Sequence, residues 1–526
     1  YEHAGEFMSD GYVTDTAYVA EYYPDHAPAH MNLACAFNGF RPRPLDEPFT
    51  WCDYGCGNGI TANVLAACYP HAQFYGIDFM NAHVRTAETL SLRGGLENTT
   101  FMCKSFTQLE ENDLPPLDFA VMHGVLSWVD EATRSALLED AIKRLKPGGI
   151  LLTGYNAMPG WAAKLPMRDM IYSLTPDKMN SVDRAEAGLK WLTKLKDAEA
   201  KYFRDNPALA EAVEQLERLD IRYMAHEYFN ENLRAFHFAE VRQAMEQGGL
   251  KFAGCATLFL NMVDLAVPQA LYEEFRDMTS RAELEAKRDF IRNETFRRDV
   301  WVKGEPIKTE DEWLAINEEL IFGSLVTRDA MDKEVAFGDV QVSYDGEPFD
   351  SILDIITSGA KKIGTLGDAT GLDSVSTATR VDAARLLSAG GEIIAFSGET
   401  EPVAVSGKPK ITIGAAFNRG MVKEFGMILP RIPLAAPNAG TAIEMSNIDA
   451  MLLLAICEKG WDSAVKLVTK LIGGDDGEVI LGGRSLSRKE VQQHLNDRVM
   501  HIRTKQLAKL LELGVVMISD ELPVSS

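Results

Sequence analysis

The sequence predicts an α/β fold in which a parallel sheet is covered by helices on both faces. Three observations indicate it. Short apolar runs alternate with helical patterns between residues 50 and 154. The first run ends at Asp53 and is followed by glycines at positions 55, 57 and 59, which suit a tight turn from strand to helix. The sequence Lys-Pro-Gly-Gly at 146–149 ends the last helix of this region, because proline and glycine stop helices.

The strands and helices of this region follow one another in a regular order. Each strand is a short apolar run, and the helices between them are rich in alanine and leucine or carry a charged face. The second strand ends in Asp78, where a carboxylate at a strand tip can bind ribose hydroxyls. The predicted elements are strand 50–53, helix 60–69, strand 73–78, strand 100–103, strand 118–124, helix 132–145 and strand 150–154.

The glycine turn at 55–59 has two interpretations. Alone, Gly-x-Gly-x-Gly is compatible with a simple tight turn. Followed by a helix whose first N–H groups are free, and accompanied by Asp78, it favours a nucleotide-type ligand site. A nicotinamide-dependent dehydrogenase is the alternative within that class, but it would show Gly-x-Gly-x-x-Gly.

These motifs resemble those of class I S-adenosylmethionine-dependent methyltransferases, which have a Rossmann-like fold. The resemblance rests on Asp-x-Gly-x-Gly-x-Gly at 53–59, the acid at 78 and Leu-Lys-Pro-Gly-Gly at 145–149, and covers residues 40–155. It implies S-adenosyl-L-methionine as the cofactor, S-adenosyl-L-homocysteine as the product, and no metal. The donor site that it implies is formed by Asp53, Gly55, Cys56, Gly57, Asn58, Gly59, Asp78, Phe79, Ser105, Phe106, His123 and Gly124.

The middle of the chain resembles the methyltransferase regulatory domain found in a group of bacterial methyltransferases. The matching stretches are 226–230, 238–241, 249–254 and 288–293. The same group includes rickettsial-type protein lysine methyltransferases that modify outer-membrane proteins, and residues 11–18 and 155–161 resemble it as well. The resemblance therefore implies a protein substrate, with a cell-surface or outer-membrane protein as one candidate.

The last third predicts two further domains. Helices at 349–358 and 381–388, followed by a strand at 390–396, indicate a winged-helix-like pattern, which we interpret as a protein-contact module. A mostly helical region follows. The predicted domains are a methyltransferase domain at 8–165, a regulatory domain at 166–305, a winged-helix-like domain at 306–410 and a helical C-terminal domain at 411–526.

Methyl transfer to an amine needs positioning more than it needs an acid–base triad. Aromatic side chains that desolvate a lysine and tolerate its methylated cation are the useful residue types. The N-terminal segment also contains Tyr23, His26 and His30, but the family resemblance favours its other tyrosines. The catalytic candidates are Tyr18, Tyr22, His123, Tyr155 and Asn156, and the substrate-contacting candidates are Tyr12, Trp128 and Trp161.

Each of these candidates also has a structural interpretation. The N-terminal tyrosines suit an aromatic helix face packed on the sheet, and His123 suits a buried structural histidine. Trp128 is more typical of a side chain packed against the helix 132–145. His226 and Glu227 look like an acid–base pair, but they lie in the regulatory-type region, where the structural interpretation is favoured.

Composition limits the partners and the compartment. The formal net charge of −24 argues against a nucleic-acid substrate, whose phosphates would be repelled. It is compatible with a cationic protein surface, or simply with solubility. The seven scattered cysteines predict reduced thiols and a cytoplasmic protein, and Cys52 and Cys56 do not make a zinc site. No apolar run is long enough to span a membrane.

Three functional hypotheses follow. The first is a methyltransferase that N-methylates lysine side chains of a protein. The second is a small-molecule or glycan methyltransferase, whose accessory domains close the pocket or form a homodimer. The third is a non-catalytic donor-binding protein, against which the intact motif at 53–59 and the acid at 78 argue.

Overall fold

The computed structural model describes residues 8–9, 12–13, 15, 20–176, 179–473, 479–481 and 484–519. Near the N-terminus, β1 (Met8–Ser9) pairs antiparallel with β2 (Tyr12–Val13). A 3₁₀ turn, Pro24–His26, then leads into α1 (Pro28–Phe37). Pro28 is the first residue of α1, a position where its fixed φ suits the helix and its missing N–H costs nothing.

A seven-stranded sheet lies at the centre of the first half of the chain. Its strand order is β5-β4-β3-β6-β7-β9-β8. Strands β3 to β7 run parallel, whereas β9 runs antiparallel to both of its neighbours. The strands are β3 (Thr50–Tyr54), β4 (Gln73–Asp78), β5 (Thr99–Cys103), β6 (Leu117–His123), β7 (Leu145–Asn156), β8 (Lys251–Cys255) and β9 (Phe296–Val302).

The predicted parallel α/β fold is confirmed for this region. Helices α2 (Ile60–Cys68), α3 (Asn81–Gly94) and α4 (Glu131–Arg144) connect the parallel strands. One detail differs from the expectation: the Pro-Gly-Gly at 147–149 does not follow α4 as a separate turn but lies inside β7, which begins directly after the helix.

The sheet crosses the predicted domain boundary at residue 165. Strands β8 and β9 belong to the segment 166–305, yet β9 pairs with β7 over seven residue positions, from Ile150↔Val302 to Asn156↔Phe296. The segment 8–165 is therefore incomplete as a sheet. The boundaries at 165, 305 and 410 stay predictions.

Two helical groups are inserted around β8. The first packs around its own apolar core, which includes Trp161, Leu192 and Phe229. The helices of this group are α5 (Lys164–Leu174), α6 (Ser181–Asp197), α7 (Lys201–Asp205), α8 (Pro207–Leu216) and α9 (Ile221–Phe229). Helix α10 (Phe238–Gln247) follows them and lies directly before β8 in the chain. Between β8 and β9 lie α11 (Val263–Ala266), α12 (Tyr272–Arg276) and α13 (Arg281–Arg292).

A buried ionic cluster joins α13 to the sheet. The Arg297 guanidinium on β9 contacts Glu285 Oε2 at 2.7 Å, Asp299 Oδ1 at 2.8 Å and the Asp289 carboxylate. Arg288 pairs with Glu285 as well. All five charged side chains are buried, so each is satisfied by its neighbours rather than by water.

The rest of the chain packs against α2 and α3 through the largest apolar core. Residues 306–410 contain a three-stranded sheet of order β13-β10-β14 and a β11–β12 hairpin. The elements are α14 (Glu310–Glu318), β10 (Ile321–Gly323), β11 (Glu334–Phe337), β12 (Val340–Ser343), α15 (Phe349–Ser358), β13 (Lys361–Lys362), α16 (Thr377–Gly390) and β14 (Ile394–Ala395).

The C-terminal part is helical, as expected, but also contains three two-stranded sheets, which pair β15 with β20, β16 with β17, and β18 with β19. A π-helical turn, Ile502–Gln506, interrupts its last long helix. The elements are β15 (Ile411–Ile413), α17 (Ala416–Phe425), β16 (Arg431–Ala436), β17 (Thr441–Ser446), α18 (Asn447–Lys459), α19 (Trp461–Gly473), β18 (Val479–Leu481), β19 (Arg484–Leu486), α20 (Arg488–His501), α21 (Leu507–Glu512) and β20 (Val516–Ile518).

Candidate active site

The glycine turn between β3 and α2 forms the floor of a pocket at the carboxyl ends of the parallel strands. The N–H groups of Gly55 and Cys56 donate to the Ile77 carbonyl at 2.8 and 3.0 Å, which ties the turn to β4. Gly59 has φ +66°, and a Cβ there would collide with the Ala87 side chain. Gly57 has φ +51°, and the space where its Cβ would lie is open, so its backbone can be approached closely by a ligand.

Asp78 closes the glycine turn from the tip of β4. Its Oδ2 accepts the Gly57 N–H at 3.0 Å, and its Oδ1 accepts the Met80 N–H at 2.8 Å. His83 Nδ1 lies 3.3 Å from Oδ1. A carboxylate has about four acceptor positions, so Asp78 retains capacity for ligand hydroxyls while it holds the turn.

Asp53 is the buried acid at the end of β3. Within the described part of the chain, its Oδ1 has no hydrogen-bond partner. Burial, and then the charge of Asp78, raises the pKa of the Asp53 carboxyl to about 8. An orphaned carboxylate of this kind is stabilised by a cationic group, and the ammonium of the S-adenosylmethionine amino-acid end would supply one. The residues at this turn therefore fit the cofactor that the sequence predicts.

Aromatic rings form the opposite wall of the pocket. Tyr23 and His26 come from the segment before α1, and His123 comes from the end of β6. The ring centroids of Tyr23 and His123 lie 4.5 Å apart, and the ring centroid of His26 lies 4.9 Å from each of them. The whole pocket is lined by Glu21, Tyr23, His26, Asp53, Gly55, Cys56, Gly57, Asn58, Gly59, Ile60, Thr61, Asp78, His83, His123 and Trp128. We call it the glycine-turn pocket.

The two histidines of this wall are neutral near pH 7. Burial is the main cause, and it lowers the pKa of His26 and of His123 to about 3. Both ring nitrogens of His26 are buried and lack a hydrogen-bond partner among the described residues, as does Nδ1 of His123. Neutral imidazoles of this kind can accept a hydrogen bond from a ligand without adding positive charge.

The structure brings most of the predicted donor-site residues to this pocket, together with Trp128. Four others do not line it. Ser105 begins the 3₁₀ turn Phe106–Gln108, where it forms a capping box with Gln108, and the Phe106 ring packs towards Tyr54. Phe79 and Gly124 flank the lining residues Asp78 and His123 without lining the pocket themselves. Their assignment to the donor site stays a prediction.

Tyr22 is corrected by the structure, because its side chain points away from the glycine-turn pocket. Its hydroxyl lies 2.6 Å from Thr441 Oγ1 and accepts the Ala442 N–H at 3.1 Å. It therefore joins the N-terminal segment to β17. The side chain that reaches the pocket is the next one, Tyr23, which the family resemblance does not favour over its neighbours.

The predicted acceptor residues at and after the end of β7 are also placed elsewhere. The Tyr155 hydroxyl donates to Asp299 Oδ2 at 2.5 Å inside the buried ionic cluster. The Asn156 N–H donates to Ser127 Oγ at 2.8 Å, and its side chain is buried. Trp161 packs on the Tyr228 ring at 5.6 Å. None of these three lines the glycine-turn pocket.

Two predicted residues in the N-terminal segment cannot be placed. Tyr18 lies outside the described residues, and for Tyr12 only the position in β2 is described. His226 and Glu227 are both buried on α9, in agreement with the structural interpretation that the sequence favoured.

Comparisons with known proteins identify the domains. A model described as a methyltransferase domain matches residues 45–199, and the model of a predicted methyltransferase regulatory domain matches residues 220–303. The fold of the whole chain is similar to that of PKMT2 from Rickettsia typhi in complex with AdoHcy, with a TM-score of 0.70 and 17% identity over 95% of this chain and 99% of the other. The chain therefore contains a methyltransferase domain and a methyltransferase regulatory domain, and it is an S-adenosylmethionine-dependent methyltransferase.

Similar sequences match this methyltransferase to different extents. An uncharacterized protein of Synechocystis is 28% identical over 96% of this chain and 99% of its own length. An uncharacterized protein of Rickettsia prowazekii is 26% identical over 51% of this chain and 48% of its own. A trans-aconitate 2-methyltransferase of Azoarcus is 30% identical over 20% of this chain and 39% of its own.

Two further findings concern metals and membranes, and both are restricted to the residues that the structure describes. No group of three or more His, Cys, Asp and Glu side chains there can hold a metal ion. None of the helices described combines the length and apolar character needed to cross a bilayer. All seven cysteines are free thiols.

Binding of S-adenosylhomocysteine is expected to release a proton from Asp53 at pH 7. In the free methyltransferase the pKa of about 8 leaves this carboxyl mostly protonated, and pairing with the ligand ammonium lowers its pKa, so the bound carboxyl ionises. The affinity should accordingly rise with pH up to about 8 and level off above it. Calorimetry in two buffers of different ionisation enthalpy measures the released proton.

The control for this prediction is Asp53→Asn, which keeps the shape of the side chain but cannot ionise. The difference in proton release between native protein and variant isolates the contribution of Asp53 from that of the ligand amine. Equal proton release from the two proteins would contradict the pairing.

Proposed function

We propose that the methyltransferase transfers the methyl group of S-adenosylmethionine to the side-chain amine of lysine residues in a protein substrate. The observation that carries the proposal is the chemistry of the glycine-turn pocket. Its floor suits the donor, and its opposite wall combines aromatic rings that pack on one another with the carboxylate of Glu21. This combination suits an acceptor that arrives as a cation and leaves as a methylated cation.

The donor would be held by the turn and by the two acids. Asp53 would pair with its ammonium, Asp78 would accept hydrogen bonds from its ribose, and the open space at Gly57 would allow the backbone to approach its amino-acid end. When bound, S-adenosylmethionine supplies an electrophilic methyl group. The chain's own contribution is to position that group and to exclude water, which is worth up to about 7–11 kcal/mol in well-oriented reactions.

Carboxylates lie near the acceptor side of the pocket and act on the Tyr23 hydroxyl. Burial raises the pKa of the Tyr23 hydroxyl well above its ordinary value, and the charge of Glu21 raises it further. The charges of Glu227 and Asp25 add to the shift. The Glu21 carboxylate, which lines the pocket, attracts a lysine ammonium and so favours a cationic acceptor over an acidic metabolite.

Lysine must lose its proton before it attacks. With an ordinary pKa near 10.4, deprotonation costs about 4.6 kcal/mol at pH 7. Desolvation against the wall formed by the rings of Tyr23, His26 and His123 lowers that cost. The neutral ring nitrogens of the two histidines can hold the amine by a hydrogen bond, and the released proton passes to solvent.

A protein acceptor is further supported by the resemblance of the sequence to rickettsial-type protein lysine methyltransferases. Among the residues that the structure describes, none after 303 lines the glycine-turn pocket, which leaves that part of the chain available to bind a macromolecule. A cell-surface or outer-membrane protein as the substrate, a cytoplasmic location and a homodimer stay predictions.

The test is to incubate the protein with donor labelled in its methyl group and a cell lysate, and then to separate the label by size. We expect label in protein that is stable to base and is recovered as methyl-lysine after hydrolysis. The Asp78→Ala variant is the background control. Label only in low-mass or carbohydrate fractions would support the small-molecule alternative and overturn the proposal.

Replacing Tyr23 is expected to impair turnover more than donor binding. Tyr23→Ala removes the ring that contacts both His26 and His123, so the acceptor loses its desolvated position, and kcat should fall at least about tenfold, or 1.4 kcal/mol. Tyr23→Phe keeps the ring and should retain most of the activity. Rates on the labelled substrate, compared with donor affinity from calorimetry, check the expectation. A Tyr23→Ala variant with native kcat would remove this wall from the acceptor site.

A further inference from the structure

A second pocket lies between the N-terminal segment and the C-terminal part of the chain. Its volume is about 490 Å³, which is within the range of pockets for small molecules. Most of its surface is apolar and comes from residues such as Leu325, Ile443 and Leu510. It is lined by Tyr22, Pro24, Leu325, Val326, Thr327, Asp329, Ala330, Arg431, Ala442, Ile443, Glu444, Met445, His501, Lys505, Gln506, Lys509 and Leu510.

This second pocket shares the N-terminal segment with the glycine-turn pocket. Glu21 and Tyr23 line the glycine-turn pocket, whereas Tyr22 and Pro24 line the second one. Successive side chains of an extended segment point to opposite sides, which accounts for the alternation. The two pockets are therefore separate sites on either side of one stretch of chain.

The helical wall of the second pocket has an irregular backbone and an unsatisfied polar group. The π-helical turn Ile502–Gln506 interrupts the helix there, and such turns are frequent at functional sites. The Gln506 Oε1 atom is buried and has no hydrogen-bond partner among the described residues. An amide oxygen in this situation requires a donor from a ligand or a water molecule.

Arg431, Lys505 and Lys509 line the pocket with two carboxylates, and the buried Lys509 ammonium is held by Glu512 Oε2 at 2.6 Å, which leaves Lys505 and Arg431 as the cations at the mouth. The Lys505 ammonium lies 2.7 Å from Asp329 Oδ2, and the Arg431 guanidinium lies 3.6 Å from Glu444 Oε2. Both pairs are exposed, so each contributes little and its cation can change partner at small cost. The mouth of the pocket therefore suits an anionic group, and its interior suits an apolar body.

We propose that the second pocket binds a small apolar carboxylic acid. The apolar body lies against Leu325, Ile443 and Leu510, and the carboxylate lies at the mouth beside Lys505 and Arg431. A hydroxyl or amide N–H on the apolar body would satisfy Gln506. Methyl transfer uses none of these residues, so the site is additional to the proposed reaction and does not depend on it.

The experiment uses the full-length protein and two ligands with the same chain and opposite charge, decanoate and decylammonium, both below their micellar concentrations. Calorimetry should show saturable binding of decanoate, and binding of decylammonium should be weaker by at least about tenfold. The opposite preference, which the net charge of −24 alone would produce, would overturn the proposal.

Variants locate the binding site. Ile443→Trp fills the pocket and should abolish decanoate binding, while Lys505→Glu, at an exposed position, should weaken it several-fold without disturbing the fold. Phe290→Ala is the matched control, because it removes an exposed apolar side chain from a different surface. Decanoate binding that survives both pocket variants, or that disappears in Phe290→Ala, would overturn the assignment.

Discussion

Asp78→Ala is expected to lower the affinity for S-adenosylmethionine at least tenfold. The substitution would remove about two charge-assisted hydrogen bonds to the ribose, each worth roughly 1.5–3 kcal/mol. It would also release the N–H groups of Gly57 and Met80, which the carboxylate holds at 3.0 and 2.8 Å, so the turn itself would lose its shape. Both effects act in the same direction, which makes this the largest expected change in donor binding.

Calorimetric titration with S-adenosylhomocysteine measures this loss. Asp78→Asn keeps one acceptor oxygen and should give an intermediate affinity, because it can still hold one of the two backbone N–H groups. Glu88→Ala, which removes an exposed carboxylate from α3, is the matched control and should bind like the native protein. Native affinity in Asp78→Ala would show that the ribose lies elsewhere.

The donor side of the glycine-turn pocket could be predicted because its signals are local. Positive φ at Gly55, Gly57 and Gly59 is a property of single residues and their neighbours, and it is visible in the sequence as glycine spacing. An acid that ends a strand of a parallel sheet lies at the ligand-binding edge whatever the rest of the chain does. Asp53 and Asp78 are therefore at this edge, as expected.

The place of the last two strands in the sheet could not be predicted, because their pairing is non-local. About 140 residues separate β7 from its partner β9, and only the fold brings them together. The sequence of β9 contains Arg297 and Asp299, charged residues that argue against a buried strand. In the structure their charges neutralise each other and those of α13, so the strand is buried all the same.

Some side chains on the acceptor side of the pocket could not be predicted from the sequence, for a different physical reason. Tyr22 and Tyr23 are adjacent and chemically alike, and which of them reaches the pocket depends on the side to which an extended segment turns each side chain. That choice is fixed by the contact of Tyr22 with β17, some 420 positions away in the sequence. Tyr155 was expected near the acceptor because it follows the ligand-binding end of β7, but the strand continues through it to pair with β9.

Arg297→Ala is expected to destabilise the protein by about 3–5 kcal/mol, the range for removing one partner from a buried ionic group. The change would leave the carboxylates of Glu285, Asp289 and Asp299 close together in the core without their shared cation. Arg298→Ala is the matched control from the next position of β9, since its side chain is 43% exposed and its ion pair with Asp25 is partly solvated. Urea unfolding should show a clear loss of stability for the first variant and little change for the second.

The cluster joins α13 to β9, and β9 pairs with β7 of the methyltransferase sheet. A large effect would therefore mean that the regulatory segment is required for the stability of that sheet. Equal stability of the two variants would instead show that the sheet holds together without the cluster.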